Sequence, residues 1–302
     1  MNENYLKKAL LHTLTEVEFP NMVISLKNNY ETMQKAHDSI HEFILLASIS
    51  LPSQTKVSWH SKSAFLTYQW EAFHSAHRSF LEALAGYYNA AFTLLRSTLE
   101  LTIKGAFFEC LAHKEFREKS EVLDKDERGK RLKDTINNAI GEKMDLEETS
   151  ATIHDMLMVD VDGRVFVEQP EYRPSVKTVS KQLSSWGMLD PIEKPTETLY
   201  GIYKMLSADV HVIPDKTDIG RRLLSQRNLF ETDVIPDELS RYVEFLHKIM
   251  DISIVVELNI LSDWIIQNKK VQSKLKERLT VLEDLGLEFS AKRLRGLMKD
   301  EQ

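Results

Sequence analysis

A chain of 302 residues with 42% hydrophobic and 28% charged side chains has ample material for a core and lies far from the composition of disordered segments. Its net charge of -7 argues against a surface generally coated by nucleic acid while leaving room for a local basic site, and its single cysteine, Cys110, excludes an intrachain disulfide framework and any multi-cysteine zinc site. The N-terminus has no apolar signal-peptide core, and the longest apolar candidate, Ile252 to Ile266, is interrupted by Glu257, Asn259 and Asp263. A cytosolic protein without membrane contact is expected.

Taken in chain order, Asn21 to Leu51, Ser53 to Ala85 and Asp237 to Leu285 are free of proline and glycine and carry apolar residues at three- and four-residue spacing, which predicts long helices. Pro20 opens the first, Leu51-Pro52-Ser53 breaks it, and Gly86 is expected to kink the path into the next helix. On that helix Phe92, Leu95, Leu99, Ile103, Ala106 and Cys110 form one apolar arc, so Cys110 reads as a small buried hydrophobe. Periodicity weakens between Gly141 and Pro195. There Met156 to Glu168 alternates around Asp162-Gly163 and predicts a small β-hairpin, followed by a short helix containing Trp186. Asp237, after Ile235-Pro236, is expected to cap a helix running to about Asn268. The stretch Lys269 to Lys299 holds nine basic residues against four acidic ones, and reads as a basic amphipathic helix pair docked on an acidic body, or as a nucleic-acid contact. The expected organisation is a helical pair over 1–52, a bundle core over 53–268 with an insertion at about 141–195, and a basic helical tail over 269–302.

Two stretches set polar groups on helices that otherwise read as core. Arg96 and Glu100 are spaced i, i+4 inside the edge of the apolar arc, and Tyr203, Ser207 and His211 run beside the Leu199, Leu206 and Val210 stripe of a later helix. Burying such charges costs several kcal/mol unless they are paired, so a joint cluster able to bind an anion or do acid-base work is one expectation. A polar network that fixes helix register is the other.

The pattern Arg96-Ser-x-x-Glu100 followed downstream by Tyr203-x-x-Leu-Ser207-x-x-x-His211 resembles a helical family of the domain-of-unknown-function 5677 type, related loosely to HEPN-like helical bundles. The resemblance spans about Ser63 to Ile266. It implies a mostly α long-helix bundle, frequent homodimers, and roles in prokaryotic defence or RNA processing, with RNA or another anionic ligand as partner. Many catalytic members are metal-independent ribonucleases whose motif is Arg, a polar residue, then three to five residues and His. Arg241 to His247 matches the spacing, but Tyr242 replaces the usual Asn, Asp or His, and about one such match is expected by chance.

The pairs Glu71/His74 and Glu244/His247 repeat the Glu-x-x-His ligand spacing of di-metal carboxylate bundles, with Glu42 and Glu100 as nominal partners. His37/His41 and His74/His77 have clustering spacings too, yet His37 and His77 fall on apolar stripes and read as core or interface histidines. No cofactor and no metal are expected. The favoured reading is a non-enzymatic HEPN-like interaction or ligand-binding protein. A ribonuclease using His211 or His247 with Arg96 or Arg241 is the alternative, and a di-metal oxidase the third.

Overall fold

The computed structural model describes residues 7–8, 11, 14–15, 19–50, 63–139, 174–210 and 234–299. Twelve helices account for their regular structure from Phe19 onward: α1 Phe19–Ser50, α2 Ala64–Leu84, α3 Tyr88–Cys110, α4 Lys114–Glu118, α5 Glu121–Lys125, α6 Glu127–Ala139, α7 Val176–Ser185, α8 Pro195–Val210, α9 Pro236–Ile260, α10 Ser262–Gln267, α11 Lys269–Leu285 and α12 Glu288–Lys299. No strand occurs among the described residues, and the hairpin expected at 156–168 lies outside them. No described helix is long and apolar enough to cross a membrane.

The predicted arc of α3 is buried at every position from Phe92 to Cys110, and burial also pushes the Cys110 thiol well above its ordinary pKa. Helix α3 packs along α2 and is flanked by α7, α8 and α9. Gly105 permits the approach of α2, because a Cβ there would stand 2.5 Å from the Cβ of Tyr68. Gly86 stands where the path is expected to turn, between α2 and α3. With φ of 91° it forms the left-handed turn that separates α2 from α3. Helix α2 begins at an Ser63 cap, whose hydroxyl accepts from Leu66 N at 3.1 Å and donates to buried Glu109 at 2.8 Å. The same Glu109 oxygen accepts from Phe65 N at 3.1 Å, so a carboxylate on α3 holds the start of α2.

Asp237 is not the cap of α9. Ile235 takes that position, Pro236 occupies the first turn, and the Tyr88 hydroxyl accepts from Ile235 N at 2.9 Å. Nor does α9 run on to Asn268; it stops at Leu261, α10 follows, and Asn268 caps α11 by accepting from Lys270 N and Val271 N. Helix α1 packs against α2, α9 and α11, while α12 docks on α9.

From Ile249 to Asn259 every residue of α9 is buried, Glu257 included. Neither Glu257 oxygen has a hydrogen bond among the described residues, and the amide of nearby Gln69 donates instead to the Phe43 carbonyl at 2.6 Å. Burial therefore raises the Glu257 pKa well above the ordinary carboxylate value, and Gln69 offsets only part of the shift. A raised native pKa means the folded state binds the proton more tightly. The stability this contributes is complete below the ordinary carboxylate pKa and is lost as pH rises towards the native value. Glu257→Gln should thus gain stability over the wild type on going from pH 5 to pH 8, by at most about 1.4 kcal/mol per pH unit. Urea denaturation of both proteins across that range measures the difference, and a pH-independent difference would contradict the assignment of a buried neutral carboxyl.

Candidate functional site

Of the residues singled out by helical phase, Arg96 and Tyr203 meet. The Arg96 guanidinium carbon lies 4.6 Å from the Tyr203 ring centroid, and Nη2 donates to the phenol oxygen at 2.5 Å. Arg96 Nε is buried with no hydrogen-bond partner among the described residues. Glu100 does not join them. It takes Lys104 Nζ at 2.5 Å, one turn in the other direction. Ser207 donates to the Tyr203 carbonyl at 2.7 Å, within its own helix, and His211 lies outside the described residues. The pair therefore ties α3 to α8, and the acid-base combination with Glu100 and Ser207 is not assembled.

The ribonuclease-spaced pair faces two different neighbours. Arg241 stacks over Phe92 at 4.6 Å and Phe245 at 5.6 Å and bonds Glu238 at 3.1 Å. His247 instead lies beside Asp251 and near Gly286. Tyr242, between them, is fully buried, with its hydroxyl 2.9 Å from that of Ser79. The Glu-x-x-His sets are also dispersed. Glu71, His74 and Glu244 are exposed, Glu244 pairs with Lys248, and buried Glu42 takes Arg278 of α11, with Arg278 Nε 3.0 Å from Glu42 Oε2.

A different group does converge. His37 and His41 on α1 and His77 on α2 place ring nitrogens within 4.8 Å of one another. His37 Nε2 and His41 Nε2 are 3.1 Å apart. Partial burial lowers the pKa of His41, as does neighbouring His37, and His77 is lowered by burial and by His37, His41 and His74. The i, i+4 spacing of the first two was visible in the sequence. The third was not, because it depends on how α1 and α2 align.

Sequence reasoning also missed a cleft of about 870 Å³ between the α5 region and the start of α7. Lys119, Lys125, Arg128, Lys177 and Lys181 line it against two carboxylates, Glu121 and Asp126. Both acids are engaged: Glu121 bonds Lys125 at 2.9 Å, and Asp126 accepts from Arg128 N at 2.7 Å. The hydrogen bond and charge of Lys125, together with the charge of Lys181, hold the Glu121 carboxyl below its ordinary pKa. The N-terminus of α7, capped by Ser175, opens on the same space and adds the positive end of its dipole. The contributing residues are some fifty positions apart in sequence, so no local motif announces them.

No protein-family model, no curated protein and no solved structure matches this chain. If Arg96 and Tyr203 act as a structural tie, a double-mutant cycle of Arg96→Ala and Tyr203→Phe should return a coupling of about 1 kcal/mol. Chemical denaturation measures it; strict additivity would show that the two side chains merely sit side by side.

Proposed function

We propose that this protein is a non-enzymatic, HEPN-like homodimeric binding protein that receives a phosphate-bearing anion, such as an RNA backbone, in the cleft between α5 and α7. The observation that carries the reading is the charge of that cleft: five cationic side chains line it against two carboxylates, of which Glu121 is paired with one of the five, Lys125, and Asp126 accepts from a helix start. Such a surface neutralises phosphates without reading bases. The cleft also connects to the sequence pattern that suggested an anion site. Lys177 lies 5.3 Å from the centroid of the Tyr200 ring on α8, the helix that Arg96 holds through Tyr203. In this reading Arg96 and Tyr203 position the wall of the site, and the lysines of α7 meet the ligand. A binding role is favoured over cleavage because Arg241 is occupied by Phe92, Phe245 and Glu238, away from His247.

Fluorescence anisotropy with a labelled single-stranded RNA, in EDTA, tests this directly. Binding should weaken as salt rises, inorganic pyrophosphate should compete, and Lys177→Glu combined with Lys181→Glu should reduce affinity by more than about tenfold with the fold intact. The RNA should remain uncut on a denaturing gel. Cleavage that disappears in His247→Ala or His211→Ala would replace this reading with a metal-independent ribonuclease. Equal binding by the double-lysine variant would remove the cleft from consideration.

A further inference from the structure

We propose that His37, His41 and His77 form a three-imidazole site for a borderline divalent transition metal, Zn²⁺ foremost, with water completing the coordination. The site is separate from the cleft of α5 and α7, so it stands or falls independently of anion binding there.

The argument begins with convergence. His37 and His41 come from successive turns of α1, His77 comes from α2, and one ring nitrogen of each lies within 4.8 Å of the others. A tetrahedral centre with metal-nitrogen bonds of about 2.0–2.1 Å places its ligand nitrogens about 3.3 Å apart. The His37 and His41 Nε2 atoms, at 3.1 Å, already have nearly that separation. His77 must close by up to about 1.5 Å, a movement within reach of the broad terminal torsion of a half-exposed imidazole. An N–H···N bond between His37 and His41 accounts for two rings. It does not account for the nitrogen of the third, whose ring stands tilted to His37 at 5.6 Å and edge-on to His41 at 5.9 Å.

The surroundings suit a metal. Asp38 Oδ1 lies 3.5 Å from His37 Nδ1, on the side of the ring away from His41, where an outer carboxylate holds the Nδ1–H tautomer and leaves Nε2 its lone pair. Phe73 and Phe80 pack against the rings, at 5.9 Å from His41 and 5.8 Å from His37, and limit their freedom. Partial burial and mutual repulsion favour the neutral, ligating form of His41 and His77. With imidazole as the only inner ligand, hard oxygen-seeking cations such as Ca²⁺ and Mg²⁺ are disfavoured. All three histidines are only partly buried, so solvent reaches the remaining coordination position.

The test uses full-length protein without a polyhistidine tag, dialysed against micromolar Zn²⁺ and analysed for bound metal. About one zinc per chain should be retained, and Co²⁺ in its place should give the intense visible bands of a four-coordinate centre. His41→Ala and His77→Ala should each weaken binding by more than about 100-fold, and Asp38→Asn by about 10-fold, with circular dichroism unchanged. His247→Ala, whose ring lies on α9 beside Asp251 and outside the cluster, should bind as the wild type does. No retained metal, equal retention by His41→Ala, or loss in His247→Ala would each overturn the three-histidine assignment. Thermal stabilisation by Zn²⁺ in the wild type and its absence in His41→Ala supply a second readout.

Discussion

The fold depends on one demanding constraint: the C-terminal half of α9 is surrounded by protein on all sides, yet it carries four polar side chains. A helix buried all round is ordinarily apolar, and each polar group within it must be satisfied or neutralised. Here these groups reach in different directions. Asp251 accepts from Phe289 N at 3.0 Å and Ser290 N at 2.8 Å, holding the start of α12. Ser253 donates to Thr102 on α3 at 3.3 Å, and the Asn259 amide donates to the Met188 and Asp190 carbonyls at 3.0 Å each, fixing the turn after α7. Glu257 alone remains without a bond among the described residues, and burial raises its pKa well above the ordinary carboxylate value. A slip of α9 by one residue would break the first three sets together, so polar contacts specify the register that apolar packing alone would leave looser.

The same logic gives part of the basic C-terminal stretch an architectural role. Arg278 of α11 pairs with buried Glu42 of α1, and Arg295 of α12 pairs with Glu283 of α11. Apolar Leu275, Leu282, Leu294 and Leu297 are buried beneath these charges. The local positive charge is partly consumed in docking the two helices on α1 and α9. A second concentration of positive charge lies in the cleft beside α7, in a part of the chain whose charge attracts no notice.

What was legible in the sequence followed from periodicity, and what was not followed from long-range choice. The arc of α3 and the stripe of α8 could be drawn residue by residue, because 3.6-residue spacing reports burial directly. Ion pairing could not be settled in the same way. Arg96, Glu100 and Lys104 form two overlapping i, i+4 pairs, and spacing alone admits either. Glu100 takes Lys104, the order in which a glutamate N-terminal to its cation is favoured, while Tyr203 offers Arg96 both a π face and a hydroxyl. Capping shows the same limit. Spacing predicts one helix from Ser53, whereas α2 starts at a Ser63 cap, and the carboxylate that reinforces it, Glu109, arrives from the far end of α3. His37 and His41 announce a pair, whereas His77 joins them only through the packing of α2 on α1.

These contacts place the basic cleft at the end of a chain of supports. Helix α3 is fixed by α2 and α9. Arg96 on α3 holds Tyr203 of α8, Tyr200 of α8 receives Lys177 of α7, and α7 forms one wall of the cleft. The opposite wall is tied to α7 by Gln182, whose side-chain oxygen accepts from Val122 N at 3.3 Å. Gln182 itself is buried, so this bond is shielded from competing water in a way that the exposed lysine pairs above it are not. The cleft therefore combines walls tied by a shielded hydrogen bond with exposed cationic tips. Long lysine side chains have several rotatable bonds through which to adjust, whereas the helices that carry them hold their separation.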